Sequence, residues 1–417
     1  MSFKPYFFPG NNLHSHIKSK LISSYDFRIL FILFWATSFL LSFCSPQDKN
    51  WEINNSWRSL ISWERYDPGS ISQVDDSVIN FMVKYNVPGL SLAIAKDDKL
   101  IYVKGFGYAD ASSHDPVTPA SLFRIASISK PFTSVSIMKL IQDGKLSMYS
   151  TVFGDSGILG NKYGTKPYGP NITKITIGDL LHHTCGGWTN DGNDPMFTNP
   201  SFSSSELLTW TLDNQPLVNT PGAVFAYSNF GYFILGRVIE KLTGQSYADF
   251  VKVNILQPIG IHDMQIGGST LNSRIPNEVI YYGQWDDPYS FNVGRMDSHG
   301  AWIASATDLI KFIISVDGYN RKTEILDSPA IGLMLTGSKA NPNYACGWGY
   351  SDNLSSWGHN GGLPGTSTQL KHNKAGFSWA VLMNTRLMRD DFQLSFGRLL
   401  ESTINDSTIR WPDKDLF

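Results

Sequence analysis

The chain has 417 residues, with 34 Lys and Arg against 36 Asp and Glu, for a formal net charge of -2. That balance, with no long basic run, excludes nucleic acid as the main partner, because phosphate binding needs clustered cations. At 42% hydrophobic and 17% charged it is a globular chain able to bury a core. Its three cysteines, Cys44, Cys185 and Cys346, are too few for a disulfide scaffold and show no C-x-x-C spacing for zinc.

In chain order, the first feature is the apolar run 29–43, ILFILFWATSFLLSF, preceded by Lys18, Lys20 and Arg28. It is short for a spanning helix, which needs about 20 residues, and fits the core of a secretory signal. Cys44 follows in Leu41-Ser42-Phe43-Cys44, which resembles the lipobox of bacterial lipoproteins, although Phe43 stands where a small residue is usual. The run predicts export, to the periplasm or a membrane surface. The segment ends either in lipidation at Cys44 or as an uncleaved anchor over residues 1–44. Residues 45–74 read as a linker, and 75–410 as one catalytic-sized domain.

Residues 90–96 and 99–108 read as strands joined at Asp97-Asp98. A helix over about 128–143 ends at Asp143-Gly144. Residues 150–225 are rich in Gly, Pro, Asn and Thr, with a short helix near 177–182. Helices follow at 229–242 and 247–256. Strands return at 366–371 and 377–384 around an Asn373–Gly376 turn, and 392–403 reads as a closing helix. Strands at both chain ends around a helical middle predict an α+β fold of the α/β type. In it, an antiparallel sheet built from both ends is flanked by helices, with a largely helical insertion over roughly 145–300.

The stretch 123–133, FRIASISKPFT, places Pro131 directly after Lys130. Proline is tolerated only in a helix's opening turn, so the helix starts just upstream. Ser127 then sits at its N-terminus, with Lys130 three residues on and on the same face. A serine hydroxyl needs a base to become nucleophilic. The helix dipole supplies only about 0.3–1 kcal/mol, too little to ionise an alcohol. A lysine kept neutral by burial could take the proton. The first-turn N–H of Ser127 could stabilise an oxyanion. The S-x-x-K spacing is not specific, since it recurs at Ser15–Lys18 and Ser136–Lys139; the plain alternative is a capping serine beside a solvated lysine.

Two further motifs follow in order: Tyr227-Ser228-Asn229 within FAYSNFGY, and His359-Asn360-Gly361 within WGHNGG. With them, the chain from roughly 75 to 400 resembles the serine β-lactamase and penicillin-binding protein superfamily. It is most similar to the branch holding class C β-lactamases, DD-carboxypeptidases, D-amino-acid peptidases and related esterases. VPGLSLAIAK, ITIGDLLHHTCGG, SATDLIKF and WGHNGGLPG share in the likeness. The resemblance implies Ser127 as the acylated nucleophile, Lys130 as its proton acceptor and Tyr227 as a general acid/base. It implies Asn229 as a partner of the substrate amide, His359 on the far wall of the cleft, and the N–H groups of Ser127 and Gly362 as the oxyanion hole. It implies no metal and no cofactor. The third motif departs from the common pattern, with His359 in place of lysine, Asn360 in place of threonine, and Gly362 where a hydroxyl residue is frequent. Recognition of a substrate carboxylate is where those departures bear.

Other residues draw structural readings. His182-His183 lack a ligand set for a metal and are expected at the cleft edge. Cys185 is expected to be small and buried. Trp348 and Trp357 either wall the pocket or fill the core. Lys374-Ala375-Gly376 reads as a turn, not as a lysine version of the third motif. The expected function is hydrolysis of an amide or ester through an acyl-enzyme, the substrate being a D-amino-acid peptide, a β-lactam or a small ester, with peptidoglycan-derived peptides in that range. The alternatives are a penicillin sensor that acylates without turnover and a non-catalytic scaffold.

Overall fold

A computed structural model describes residues 71–351 and 355–417. The apolar run, Cys44 and most of the expected linker lie outside the described residues. Among the described residues, no helix is long and apolar enough to cross a membrane.

The strands are β1 (Gly89–Lys96), β2 (Lys99–Asp110), β3 (Asp115–Pro116), β4 (Phe123–Arg124), β5 (Gln265–Ile266), β6 (Trp302–Ala304), β7 (Gly349–Ser351), β8 (Ser356–Leu363), β9 (Thr366–Asn373) and β10 (Phe377–Met383). Seven of them form one sheet in the order β3-β2-β1-β10-β9-β8-β7, and β4-β6-β5 form a small second sheet. Neighbouring strands of the main sheet run antiparallel. Asp97 and Asp98, with φ of 49 and 64, make the tight β1–β2 turn, since both central residues of such a turn need positive φ. β1 pairs directly with β10, Ala93 opposite Ala380, so the two chain ends meet at the middle of the sheet as expected.

Helices α1 (Ser72–Tyr85), α2 (Ser129–Gln142), α3 (Ile177–Leu181), α4 (Ser204–Asn214), α5 (Asn229–Thr243), α6 (Ala306–Ile314), α7 (Asp390–Gly397) and α8 (Glu401–Ile404) pack around it. Alternation along a strand sends successive side chains to opposite faces. Leu90, Leu92 and Ile94 of β1 join Val78 and Phe81 of α1 and Phe392 of α7 on one face. Ala93 and Ala95 face the other way and join Phe132 of α2 and Phe312 of α6. The small alanines let α6 lie close against the sheet, and the Phe132 and Phe312 rings stack at 3.7 Å.

Three elements differ from the sequence reading. Helix α1 begins at Ser72, inside the expected linker, and its Val74, Val78, Phe81, Met82 and Tyr85 are buried. The closing helix breaks after Gly397, a poor helix former, and resumes at Glu401. The third motif precedes the two expected late strands, but itself lies within a further strand, β8.

Phe81 is 6% exposed and touches Tyr85, Phe392 and Phe396 with ring centroids at 4.9, 5.6 and 6.2 Å. Phe81→Ala should lower the unfolding free energy by about 3–5 kcal/mol. A urea titration reads this; a loss below about 1 kcal/mol would show that α1 is not part of the core.

Candidate active site

The chain reaches Ser127 through β4, a residue in αL backbone and a single 3₁₀ turn, Ala126–Ile128, that runs into α2. Ala126 has φ of 49, a left-handed conformation that an alanine rarely adopts. Strain of this kind persists only where the surroundings over-determine it. Here Thr366 and Thr368 of β9 donate hydrogen bonds to the carbonyls of Arg124 and Ile125, each at 2.9 Å. Gly361 of β8 lies so close that a Cβ there would sit 2.2 Å from the Ile125 oxygen. The glycine of the third motif is therefore a steric requirement, since it lets the strand approach the serine turn.

The structure brings Ser127, Lys130, Tyr227, Asn229, His359 and Gly362 to one cleft. Lys130 is fully buried, and its Nζ donates to Asn229 Oδ1 at 2.7 Å and to the His299 carbonyl at 3.0 Å, with Ser127 Oγ at 3.2 Å. An amide oxygen and a carbonyl can only accept. A neutral amine has two hydrogens, which these two acceptors consume, and its lone pair is left facing the serine hydroxyl. Burial pushes the Lys130 pKa down to about 7, against an opposing pull from Asp194. A large share of Lys130 is therefore free base at neutral pH, against almost none for an ordinary lysine.

Tyr227 hydrogen-bonds Ser127, and burial holds its phenol well above the usual tyrosine range, so it stays protonated. Its ring lies 4.8 Å from Lys130 Nζ and 4.2 Å from the His183 ring. Asn229 opens α5 and is 6% exposed. Its Nδ2 donates to Asn190 Oδ1 at 3.1 Å and to Asp194 Oδ2 at 2.8 Å. Its amide is thus committed to the lysine and its neighbours, although it borders the second cavity, while Asn190 borders both cavities.

Ser127 and Asn190 border two cavities, of about 420 and about 550 Å³. The first is walled by Tyr227, Tyr344, Tyr350, Trp357 and His359. The second is walled by Phe197, Trp285, Phe291, Gly362 and Arg386. Strand β7 pairs only with Ser356–Gly358, so the β8 backbone from His359 onward keeps a free edge toward the cleft. The Arg386 guanidinium lies beside Gly362, 3.2 Å from where a Cβ would stand, and burial lowers its pKa. His183 stands at the cleft edge, as expected, whereas Asn190, Tyr344 and Arg386 carry no assignment from the sequence. His183 lies in ITIGDLLHHTCGG, while Tyr344 and Arg386 lie outside every motif read from the sequence.

The remaining readings resolve simply. His182 leans on the Gly178 and Thr336 carbonyls, at 3.0 Å each. Cys185 is buried. Trp348 is core and Trp357 borders the cleft. Lys374–Gly376 is the β9–β10 turn. Among the described residues no group of His, Cys, Asp and Glu could hold a metal ion.

A serine aimed at a deprotonated lysine under a protonated tyrosine defines the site of a serine hydrolase. The family model for Beta-lactamase matches residues 74–400, and the chain belongs to that family. Among curated proteins, it is similar to Protein flp of Staphylococcus aureus (strain N315), at 28% identity over 331 residues covering 76% of this chain and 63% of that protein. The chain thus spans less than two thirds of that relative's length. Among solved structures, the octameric penicillin-binding protein homologue from Pyrococcus abyssi matches with a TM-score of 0.62 and 24% identity, over 79% of this chain and 77% of the other. The D-amino acid amidase from Ochrobactrum anthropi SV3 matches with a TM-score of 0.65 and 22% identity, over 80% and 99%. These two likenesses show the fold.

Because Lys130 must be neutral to accept the serine proton, phosphonylation of Ser127 by a fluorophosphonate should rise with pH through an apparent pKa of about 7 and level off above it. A rate constant that is flat from about pH 5 to about pH 9 would contradict a lysine base.

Proposed function

We propose that the protein hydrolyses an amide or ester through an acyl-enzyme on Ser127. The observation that supports this most is the hydrogen-bond arrangement of Lys130, which leaves its lone pair for the serine proton. Ser127 Oγ attacks the carbonyl carbon as its proton passes to Lys130 Nζ. The carbonyl oxygen becomes an oxyanion held by the N–H groups of Ser127 and Gly362. One such donor is worth about 10²–10³ in rate. The tetrahedral adduct then collapses. Tyr227 gives its phenolic proton to the departing amine or alkoxide and takes one from the Lys130 ammonium, which returns lysine to its free base. Water repeats the sequence on the ester, with its proton travelling through the same pair.

The two cavities orient the substrate. Tyr227, the donor to the leaving group, borders only the first, and Gly362, the oxyanion donor, borders only the second. The leaving group therefore lies toward His359 and the acyl side chain toward Phe197, Trp285 and Arg386. Aromatic rings with the Arg386 guanidinium, flanked by Asp286 and Asp287, suit an acyl group that carries an apolar body and a polar end the guanidinium can bind, a carboxylate included. D-amino-acid peptides with an acidic acyl side chain, including peptidoglycan-derived ones, fall within this range; β-lactams, whose ring carboxylate lies on the leaving-group side, and small esters would use the apolar part of the wall. The D-amino acid amidase whose fold is shared favours the amide end of it. The N-terminal apolar run supports action outside the cytoplasm, at a membrane surface.

Ser127→Ala should remove covalent labelling by a fluorescent penicillin or a fluorophosphonate and abolish all turnover. Penicillin labelling that decays in the wild type supports hydrolysis. A penicillin label that persists, with no turnover of any substrate, would point to a sensor, and turnover surviving in the variant would refute the nucleophile.

Arg386→Ala should lower kcat/KM by about 10–100-fold for acyl groups bearing a carboxylate, the worth of one charge-assisted hydrogen bond. Neutral ester analogues of the same compounds should be nearly unaffected. An equal loss on both would remove Arg386 from specificity.

A further inference from the structure

We infer that Tyr344 and His183 are positioning residues that, with the backbone of Ser228, hold His359 as the neutral Nδ1–H tautomer, so that the third wall of the cleft carries no charge. The observation is a chain of four hydrogen bonds with one-way ends. At one end the Ser228 N–H, which can only donate, lies 3.0 Å from His183 Nδ1. His183 Nδ1 is thus the unprotonated nitrogen, and the ring proton is on Nε2. His183 Nε2 lies 3.1 Å from Tyr344 Oη and donates to it. Tyr344 Oη lies 3.0 Å from His359 Nε2. Having accepted from His183, the phenol directs its own proton to His359. At the far end His359 Nδ1 lies 2.6 Å from the Asn360 carbonyl oxygen, which can only accept. Both ends set the same direction, and each of the three inner protons has one place to go.

Charging His359 would break the chain. An imidazolium would donate from Nε2 to Tyr344 Oη, which already accepts from His183. The Tyr344 proton would then point at no acceptor inside a ring cluster where Tyr344 is only 8% exposed. A buried donor left unmade costs about 1–3 kcal/mol. The surroundings add to this. The ionisable groups that face His359 are Tyr344, Tyr227 and Lys130, with Tyr350 and Lys371 on the outer wall of the same cavity. Lys371 is paired to Glu401 at 2.7 Å. Asp194 acts on Lys130 and Tyr227. Burial first, and then the charge of Lys130, push the His359 pKa down to about 3. His183 is likewise driven well below the ordinary histidine range, by burial and then by Lys130.

The backbone is built to aim His183 along this line. Its φ is 56, a left-handed conformation unusual for a residue with a side chain. Its ring is wedged among Tyr227, Tyr232 and Tyr344, with centroids at 4.2, 5.0 and 4.9 Å. The same ring thus backs the general acid and fixes the tautomer across the cleft. A neutral wall means that Tyr227 receives no help from a cation on that side, and the leaving-group cavity offers His359 as a polar surface without charge.

The first test is nitrogen NMR of the full chain labelled with ¹⁵N-histidine, with signals assigned by loss in His359→Gln and His183→Gln. His183 and His359 should show opposite neutral tautomers, and neither should titrate between about pH 5 and about pH 8. This measurement needs no turnover, so it decides the tautomer even if the hydrolytic reading fails. The second test uses Tyr344→Phe, which frees His359 Nε2. Its titration should move up toward the ordinary value of about 6.5. The ratio of kcat/KM at about pH 8 to that at about pH 5.5 should grow about tenfold relative to wild type, as a second acid limb joins that of Lys130. The same tautomer on both rings, an imidazolium at His359 near neutral pH, or a Tyr344→Phe titration identical to wild type would overturn the inference. A Tyr344→Phe chain that failed to fold would leave the wild-type tautomers as the deciding result.

Discussion

Everything in the cleft depends on one lysine being denied water. Lys130 is completely buried, yet its ammonium has no carboxylate in direct contact; its partners are an amide oxygen, a backbone carbonyl and a serine hydroxyl. An isolated buried charge is so costly that the group gives up its proton instead. The reactivity of Ser127 follows from that loss, because a fully charged amine would donate to the hydroxyl rather than accept from it. Asp194 tempers the effect without reversing it. It is itself buried, and it reaches the lysine only through Asn229.

Holding an amine neutral requires the rest of the wall to supply no strong compensating anion. The rings of Tyr227, His183, Tyr344 and His359 meet this need. They are polar enough to satisfy one another by hydrogen bonds, and apolar enough on their faces to exclude solvent. The protein thereby separates two tasks that a single lysine-rich cleft would merge. In the proposed reaction proton transfer is confined to Lys130 and Tyr227, while charge recognition falls to Arg386, which borders the second cavity.

Much of the frame could be read from residues alone. The hairpin at Asp97-Asp98, the helix origin at Pro131 and the late strands each rest on local rules, and the sheet uniting the two chain ends followed from their order. Helix α1 was also readable, since Val74, Val78, Phe81, Met82 and Tyr85 repeat at helical spacing, but its start at Ile71 carries no side-chain cap to announce it. Strand β8 hid for another reason. Three of its eight residues, Gly358, Gly361 and Gly362, are glycines, which depress strand propensity; other backbone passes close to the first two, and the Arg386 side chain to the third. Within the site, motifs named Ser127, Lys130, Tyr227, Asn229, His359 and Gly362. Local spacing could not name Asn190, Tyr344 or Arg386, which reach the cleft from separate loops and depend on tertiary placement.

The pairing of β1 with β10 has a temporal meaning as well. Ser127 and Lys130 emerge early in synthesis, but the strands that clamp their turn, β8 and β9, emerge some 230 residues later and are locked by β10. Until that last strand slots between β9 and β1, the serine turn lacks its threonine clasps and the first strand has an unpaired flank. A chain made in this order is chemically silent throughout its synthesis, and acquires its nucleophile only once its tail has arrived.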